Sequence, residues 1–396
     1  MNDNLKNLRN TLDQTVFKED HFTEESKQQV LNRIQKSEGT PFRKVSRFFR
    51  WVKRPLISIT GTLVLCVALF FVVQNNVWNQ DPTTSKDSPS VVDDPNEKNE
   101  PNTQENDDLE ITETDELNLP PSVLDELEIY FQKQKEDITV EDLDNVVGLN
   151  IDQKVDIESV VSQMKNLESL GIFVPTDDWS FLEEIPKLRE LTISENNLED
   201  LTFLKGVQNL EFLSVEMNNL KSLEGIEHLT NLHTLLAGQN QLSDITPVQG
   251  LNALVSLDLY GNEIASIKPI QNLNQLKALT LDQNPITDFS YIENLSDLAI
   301  LSLAGMNLSS LELLEGMDSL DRLQISNTQV SDLSVLSNIT ALEYLDIRET
   351  NVTTIEPLVE LPNLRFLLLD KSKVKDWELL DEREELQISE DSLLGH

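Results

Sequence analysis

The 396-residue chain contains very little cysteine and histidine. Its single cysteine, Cys66, cannot form a disulfide within a monomer, and a cysteine-based metal site is excluded. The four histidines are scattered over positions 21, 228, 233 and 396, which is not the spacing of a zinc cluster. The composition therefore predicts no metal site built on these side chains.

Basic residues are also scarce relative to acidic ones: the chain has 31 Lys and Arg and 70 Asp and Glu, which gives a net charge of −39. Nucleic-acid binding is excluded as a first interpretation, since phosphate backbones require basic side chains. The charge is unevenly distributed. Residues 1–74 carry 12 basic and 7 acidic side chains, whereas the remainder carries 19 and 63. A basic arm and an acidic body indicate two different environments.

The patterns of common catalytic and cofactor sites are missing as well. The sequence has no glycine-rich phosphate loop, and only His228 and His233 lie in its repeat region. Carboxylates such as Asp258 and Asp282 could bind calcium, although a solvated acidic face is the commoner explanation. We therefore expect no enzymatic activity, no catalytic residues, no cofactor and no metal.

One long apolar run is present. Nineteen residues without a charge, PLISITGTLVLCVALFFVV, extend from position 55 to 73 and would span about 29 Å as a helix. Trp51 and Trp78 flank the run, and six basic residues between positions 43 and 54 precede it. We expect an uncleaved single-pass signal-anchor helix at 55–74, because the run starts too late for a cleaved signal peptide and the following QNNVWNQ lacks a small-residue cleavage site. The positive-inside rule then predicts a cytoplasmic N-terminus and an extracellular C-terminal part.

The segments around this run have distinct compositions. Residues 1–54 form a short basic arm, for which we weigh contact with anionic lipid against a regulatory role in binding a cytoplasmic effector such as a sigma factor. Residues 75–118 are rich in Asn, Asp, Glu, Pro, Ser and Thr, and predict a disordered acidic linker. We expect a helical N-terminal cap at 119–164, a repeat solenoid at 165–380 and a C-terminal cap or tail at 381–396.

The repeat is the strongest signal in the sequence. From Leu188 to Leu364 a leucine recurs every 22 residues, and each opens a block of the form LxxLxLxxNxL, with a shifted earlier copy at Leu167. The LxL portion predicts a short strand whose alternate side chains point into the core. Each coil buries these side chains only against the next coil, so the array shares one continuous core.

Two polar columns accompany the leucines. A structural ladder of Asn amides is predicted to bond backbone groups at the turn after each strand; it comprises Asn196, Asn218, Asn240, Asn262 and Asn284. In later coils the same slot holds Met306, Thr328, Thr350 and Ser372, and we predict a local weak point at Met306. The second column, at positions 200 to 376 in steps of 22, contains only Asp, Ser and Thr, which predicts helix N-caps.

Repeats such as SDITPVQGLNALVSLDLYGNEI resemble those of the internalin-type, 22-residue leucine-rich-repeat proteins of Gram-positive bacteria. The resemblance covers roughly residues 140–380 and includes a lead-in, ITVEDLDNVVGLNI, similar to the capping segment of that group. It implies an α/β solenoid, a leucine-rich-repeat horseshoe with short parallel strands on the concave side and 3₁₀ or irregular turns on the convex side. It also implies a binding function.

The concave face consists of the strand side chains that do not point into the core, and it is the usual working surface of a solenoid. Its candidate partner-binding residues are Phe212, Leu236, Tyr260, Ile300, Arg322, Tyr344, Arg348, Phe366 and Leu368. Aromatic and arginine side chains of this kind are enriched at interface centres. The sequence thus predicts a membrane-anchored extracellular recognition protein for a protein or cell-wall partner, with a transmembrane sensor that signals through residues 1–54 as the alternative.

Overall fold

The computed structural model of the protein describes residues 117–380 and 383–390. They belong to one structural unit, Asp115–Leu393. The predicted arm at 1–54, the membrane helix at 55–74 and most of the linker at 75–118 lie outside the described residues. Within the described ranges, none of the helices has both the length and the apolar character that crossing a bilayer requires.

Twelve short strands of the described residues form one parallel sheet, in which every strand pairs with the next one in sequence. They are β1 Gly148–Ile151, β2 Ser169–Ile172, β3 Glu190–Ile193, β4 Phe212–Ser214, β5 Thr234–Leu236, β6 Ser256–Asp258, β7 Ala278–Thr280, β8 Ile300–Ser302, β9 Arg322–Gln324, β10 Tyr344–Asp346, β11 Phe366–Leu368 and β12 Gln387–Ser389. From β3 to β11 each residue lies opposite the residue 22 positions along, as Leu213 lies opposite Leu235. The predicted solenoid of parallel coils is confirmed.

The leucines of the LxL motif form the core. Leu213, Leu235 and Leu257 are stacked on one another in adjacent strands, and all three are fully buried. Burying a leucine side chain stabilises the fold by roughly 1.5–3 kcal/mol. Because this burial is provided by the neighbouring coil, the stability of each coil depends on the coils beside it.

Most strands are followed by a short 3₁₀ helix on the opposite side of the coil. These helices are η2 Ser180–Glu184, η3 Thr202–Gly206, η4 Thr246–Gly250, η5 Lys268–Ile270, η6 Ser290–Ile292, η7 Glu312–Leu314, η8 Ser334–Asn338, η9 Glu356–Leu358 and η10 Trp377–Leu380, and a further 3₁₀ helix, η1 Lys135–Asp137, precedes β1. Their apolar side chains, such as Leu204 and Ile292, complete the core from the convex side.

The predicted N-cap column is wrong by one position. The N-cap of η4 is Ile245, which makes no side-chain cap bond, whereas Asp244 precedes it and accepts a hydrogen bond from the Thr246 N–H at 2.8 Å. This bond to the amide two residues on is a turn motif that Asp, Ser and Thr all favour, so it selects the same residue types as an N-cap. The same bond is made at Asp200, Ser222, Ser266, Asp288, Ser310, Asp332 and Thr354.

The N-terminal end of the solenoid combines helices with a strand. Its helices are α1 Pro121–Phe131, α2 Val140–Leu143 and α3 Ile157–Val161. Thr139 and Asp142 form a reciprocal capping box at the start of α2, and the Asp156 side chain caps α3. Strand β1 follows α2 and pairs with β2, so the lead-in segment adds a strand to the sheet.

The C-terminal end also adds a strand. Residues 387–389 form β12, which lies beside β11 rather than across the concave face. Leu386 and Ile388 are half-buried and pack on the core, and Leu380 is fully buried. At the same end the Lys371 ammonium lies 4.4 Å from the centre of the Trp377 ring, a cation–π contact.

The Asn side chains connect successive coils. Asn262 accepts the Leu242 N–H through Oδ1 at 2.9 Å, and its amide nitrogen donates to the carbonyls of Ala237, Leu259 and Tyr260 at 2.9–3.2 Å. The equivalent bonds are made by Asn218, Asn240 and Asn284. Asn196 begins the ladder, and its buried Oδ1 has no partner among the described residues.

The ladder weakens in the later coils. The Thr328 and Thr350 hydroxyls donate only to the carbonyl three residues back, at 2.7 and 2.6 Å. Met306 is buried in the same slot and has no amide oxygen to accept the N–H of Ile286, the residue equivalent to Ile264 in the next coil. The corresponding Ile264 N–H is bonded to Asn284 Oδ1 at 3.0 Å.

We expect the Ile286 amide to exchange its hydrogen at least tenfold faster than the Ile264 amide in the native protein. The missing acceptor costs the coil about 1–3 kcal/mol of local stability, because a buried N–H is left without a strong hydrogen bond. Amide hydrogen exchange followed by mass spectrometry or NMR measures the difference. Met306→Asn supplies the acceptor and should equalise the two rates, whereas equal rates in the unmodified protein would refute the weak point.

Candidate binding face

The concave face is built from the strand residues that alternate with the buried leucines. In strands β4 to β11 the first residue of each strand forms one column on this face, and the third residue forms a second column. A third column lies two residues further on and includes Glu216, Gly238, Tyr260, Asp282 and Arg348. Neighbouring members of a column are about 4.8 Å apart along the sheet, so their side chains touch.

The nine predicted partner-binding residues all lie on this face, but they differ in exposure. Ile300, Arg322, Tyr344, Arg348 and Phe366 are half-buried. The other four, Phe212, Leu236, Tyr260 and Leu368, expose 8% or less of their surface. Side chains of adjacent coils cover them, so in this conformation they offer a partner much less surface than the first five.

The half-buried residues at the C-terminal end form one cluster, which we call the aromatic cluster: Arg322, Tyr344, Arg348 and Phe366. The rings of Tyr344 and Phe366 lie 6.4 Å apart at an angle of 41°. Arg322 lies opposite Tyr344 in the sheet. Burial is the main reason that the pKa of Tyr344 is raised to about 12, so its hydroxyl is neutral at physiological pH.

Arg348 is fixed by a bidentate ion pair. Its Nε and Nη2 donate to the two carboxylate oxygens of Asp346 at 2.9 and 2.6 Å. The hydrogen bonds to this buried carboxylate raise the pKa of Arg348. The guanidinium is thus held on the face beside the aromatic rings, with part of its surface free for a partner.

The middle of the face is acidic and largely dry. Asp258 and Asp282 expose only 3% and 0% of their surface, so the interpretation of these residues as a solvated acidic face is wrong. Asp282 Oδ1 accepts bonds from the Ser302 hydroxyl and the Ala304 N–H at 2.6 and 2.7 Å, which replaces water on one side. Burial raises the pKa of Asp282 to about 6 and raises that of Asp258 well above its usual value.

No histidines, cysteines or carboxylates of the described ranges come together in a group of three that could hold a metal ion. Asp258 on β6 and Asp282 after β7 lie on neighbouring coils, whereas Asp346 is on β10, three coils further along the sheet. Calcium prefers six to eight oxygen ligands. The acidic region is therefore better suited to single cationic groups than to a coordinated ion.

Comparison with known families agrees with this geometry. The family model of leucine-rich repeats (two copies) matches residues 208–250. The described residues form a leucine-rich-repeat solenoid. The leucine-rich-repeat fold suggests protein–protein recognition, because its stacked coils create an extended concave surface.

Two solved structures from Listeria monocytogenes are similar to the solenoid. One is an internalin, inlF, which is 24% identical in sequence. The match covers 69% of this chain and 95% of the inlF chain, with a TM-score of 0.55. The other is the functional domain of InlJ, which includes a cysteine ladder and is 20% identical in sequence. The match covers 63% of this chain and 59% of the InlJ chain, with a TM-score of 0.51. Identities at this level show the fold alone. No curated protein matches the sequence significantly.

The structure also places on the solenoid face residues that the sequence did not single out. Glu216 lies half-buried in the third column, and burial raises its pKa. Phe173 follows β2 at the N-terminal end and exposes 43% of its surface. The leucine spacing assigns both to the face, but their neighbours decide how far they are exposed, and these neighbours come from other coils.

Proposed function

We propose that the protein is an extracellular recognition protein, anchored in the cell membrane by the helix at 55–74, which binds a protein or cell-wall partner through the concave face of its solenoid. The observation that carries the proposal is the aromatic cluster. It brings two aromatic rings and two guanidinium groups together, half-exposed, on the face that solenoids use for binding.

Three features support this function over a purely structural role. The cluster residues are the types that dominate binding energy at interfaces. Arg348 is held in place by Asp346, so a partner meets an already ordered guanidinium and less side-chain entropy is lost on binding. The apolar run at 55–73 and the basic residues before it support the anchor and its orientation.

We expect a photo-crosslinking residue at position 366 to capture a discrete partner on intact cells that express the full-length chain. The same residue at position 291, which is half-buried on the convex side, serves as the matched control. The adducts are detected by gel shift and identified by mass spectrometry. The double variant Arg322→Ala and Tyr344→Ala should reduce capture from position 366 at least tenfold.

The location of the solenoid is checked in the same cells. A protease added outside should degrade the solenoid and leave a short fragment that contains residues 1–74. Capture from position 291 equal to that from position 366 would contradict the assigned face. A chain that stays fully protected until the cells are lysed would contradict the extracellular location.

A further inference from the structure

Two carboxylates of the concave face, Glu216 and Asp258, form what we call the acidic pair. Glu216 and Gly238 occupy equivalent positions of successive coils, and Asp258 is on the following strand, β6. Glu216 is half-buried, whereas Asp258 lies deeper and retains 3% of its surface. The carboxylate of Asp258 lies against Gly238, the position of the next coil that is equivalent to Glu216. The charge of Glu216 is one of the causes that raise the pKa of Asp258.

Asp258 uses only one of its oxygens. Its Oδ1 accepts the Tyr260 N–H at 2.9 Å, and Oδ2 has no hydrogen bond to the part of the chain that the structure describes. Asp258 retains 3% of its surface, and its Oδ2 is not one of the fully buried oxygens without a partner. A donor from another molecule can therefore reach this oxygen and bond to it without breaking a hydrogen bond within the chain.

Gly238 makes room for this carboxylate. Its φ is not in the left-handed region, so the backbone there does not require glycine. A Cβ at this position would lie 3.3 Å from Asp258 Oδ2 and 3.4 Å from the Tyr260 carbonyl oxygen, which is tighter than ordinary packing. A side chain at 238 would thus displace the free oxygen or cover it.

Among the described residues, no positively charged group is a cause of the raised pKa of either carboxyl. The groups that act on the two carboxyls are the Ser214 hydroxyl, the Tyr260 N–H and the carboxylate of Asp282, whose own Oδ2 is buried without a partner in the described ranges. The ordered arginines of the face, Arg322 and Arg348, are at its C-terminal end. An arriving cation would bring the donors and the charge that this part of the face lacks.

We propose that the acidic pair receives one basic side chain, an arginine guanidinium or a lysine ammonium, of the protein partner that binds the concave face. This inference rests on the proposed function and adds the chemistry of the partner to it. The guanidinium would donate to Asp258 Oδ2 at the bottom of the face and to Glu216 at the rim. The partner would then have to place a basic residue about five coils from the group that contacts the aromatic cluster.

The test uses the full-length chain in detergent micelles and a capped pentapeptide, glycine-serine-arginine-serine-glycine. Its counterpart with citrulline in place of arginine has nearly the same shape but no charge. Isothermal titration calorimetry at pH 7 should give saturable binding of the arginine peptide with a Kd at least fivefold lower than that of the citrulline peptide. Failure of either result would overturn the proposal.

Variants locate the site. Asp258→Asn keeps the Oδ1 acceptor for Tyr260 and should raise the Kd of the arginine peptide at least fivefold, as should Glu216→Gln at the rim. Asp200→Asn removes one negative charge from an exposed convex turn and controls for the overall charge of the protein. It should change the Kd less than twofold. An equal loss in all three variants, or a loss below fivefold in both pair variants, would overturn the assigned site.

The defined peptide separates this inference from the proposed function. The proposed function is tested by capture of a partner from position 366, at the other end of the face. Capture without arginine-specific binding at the acidic pair would overturn the inference and leave the proposed function standing. A peptide response with no capture would overturn the proposed function itself.

Discussion

Asn262→Met is expected to lower the free energy of unfolding by about 3 kcal/mol, because a buried N–H loses its acceptor and three further bonds disappear. The Leu242 N–H is left without its acceptor. The three carbonyls are affected less, since each keeps a second donor: Asn240 for Ala237, Asn284 for Leu259 and the Gln239 N–H for Tyr260. The side chain of methionine fits this slot in a later coil, as Met306 shows.

Urea denaturation followed by circular dichroism measures the change. The reciprocal variant Met306→Asn is the matched control, because it exchanges the same two residue types in the opposite direction at the equivalent position. We expect it to raise the free energy of unfolding by about 1 kcal/mol, since it provides the missing acceptor for Ile286. If both variants destabilised by the same amount, the effect would arise from packing rather than from the amide ladder.

Asp282→Asn is expected to remove a pH dependence of stability of about 3 kcal/mol between pH 4 and pH 7. Burial raises the pKa of Asp282 to about 6, so the folded state holds a proton that the unfolded chain has already released. The contribution of Asp282 to the free energy of unfolding is therefore fully present below its unfolded pKa of 3.8, and it is lost as the pH rises through its folded pKa of about 6. Relative to the Asn variant, the unmodified protein should become less stable over that interval.

The comparison is made by urea denaturation of both proteins at several pH values. Asp200→Asn provides a control of opposite sign, because the side-chain and backbone hydrogen bonds from Thr202 lower the pKa of Asp200. The contribution of Asp200 is present above its unfolded pKa and is lost as the pH falls through its folded pKa. Parallel pH profiles for the unmodified protein and Asp282→Asn would show that folding does not raise the pKa of Asp282.

The repeat spacing was sufficient to predict the coils and the direction in which their side chains point. A leucine every 22 residues leaves only one way to bury the LxL side chains, and Leu213, Leu235 and Leu257 lie where that argument places them. The strand at the C-terminal end could not be found in this way. GLNI of β1 carries the Leu-x-Ile form of the motif, as β3 does, whereas QIS of β12 lacks it and becomes a strand because an exposed sheet edge pairs with it.

The character of the binding face was less predictable than its position. Tyr260 and Leu368 were assigned to the face from their register, but their burial depends on side chains of neighbouring coils. The same holds for the acidic residues: sequence alone does not show that Asp282 is dry, because its partners Ser302 and Ala304 are 20 and 22 residues away. The turn motif at Asp244 was misassigned because turns and N-caps select the same residue types.

Every strand of the described residues pairs only with its neighbours in sequence, so the length of the solenoid is proportional to the number of its repeats. Duplication or loss of one 22-residue unit would lengthen or shorten the face by about 4.8 Å and leave all other contacts between coils unchanged. The separation between the acidic pair and the aromatic cluster is therefore a quantity that whole-unit insertions can adjust in steps. Selection for partners of different size could act on the number of units without altering a single contact residue.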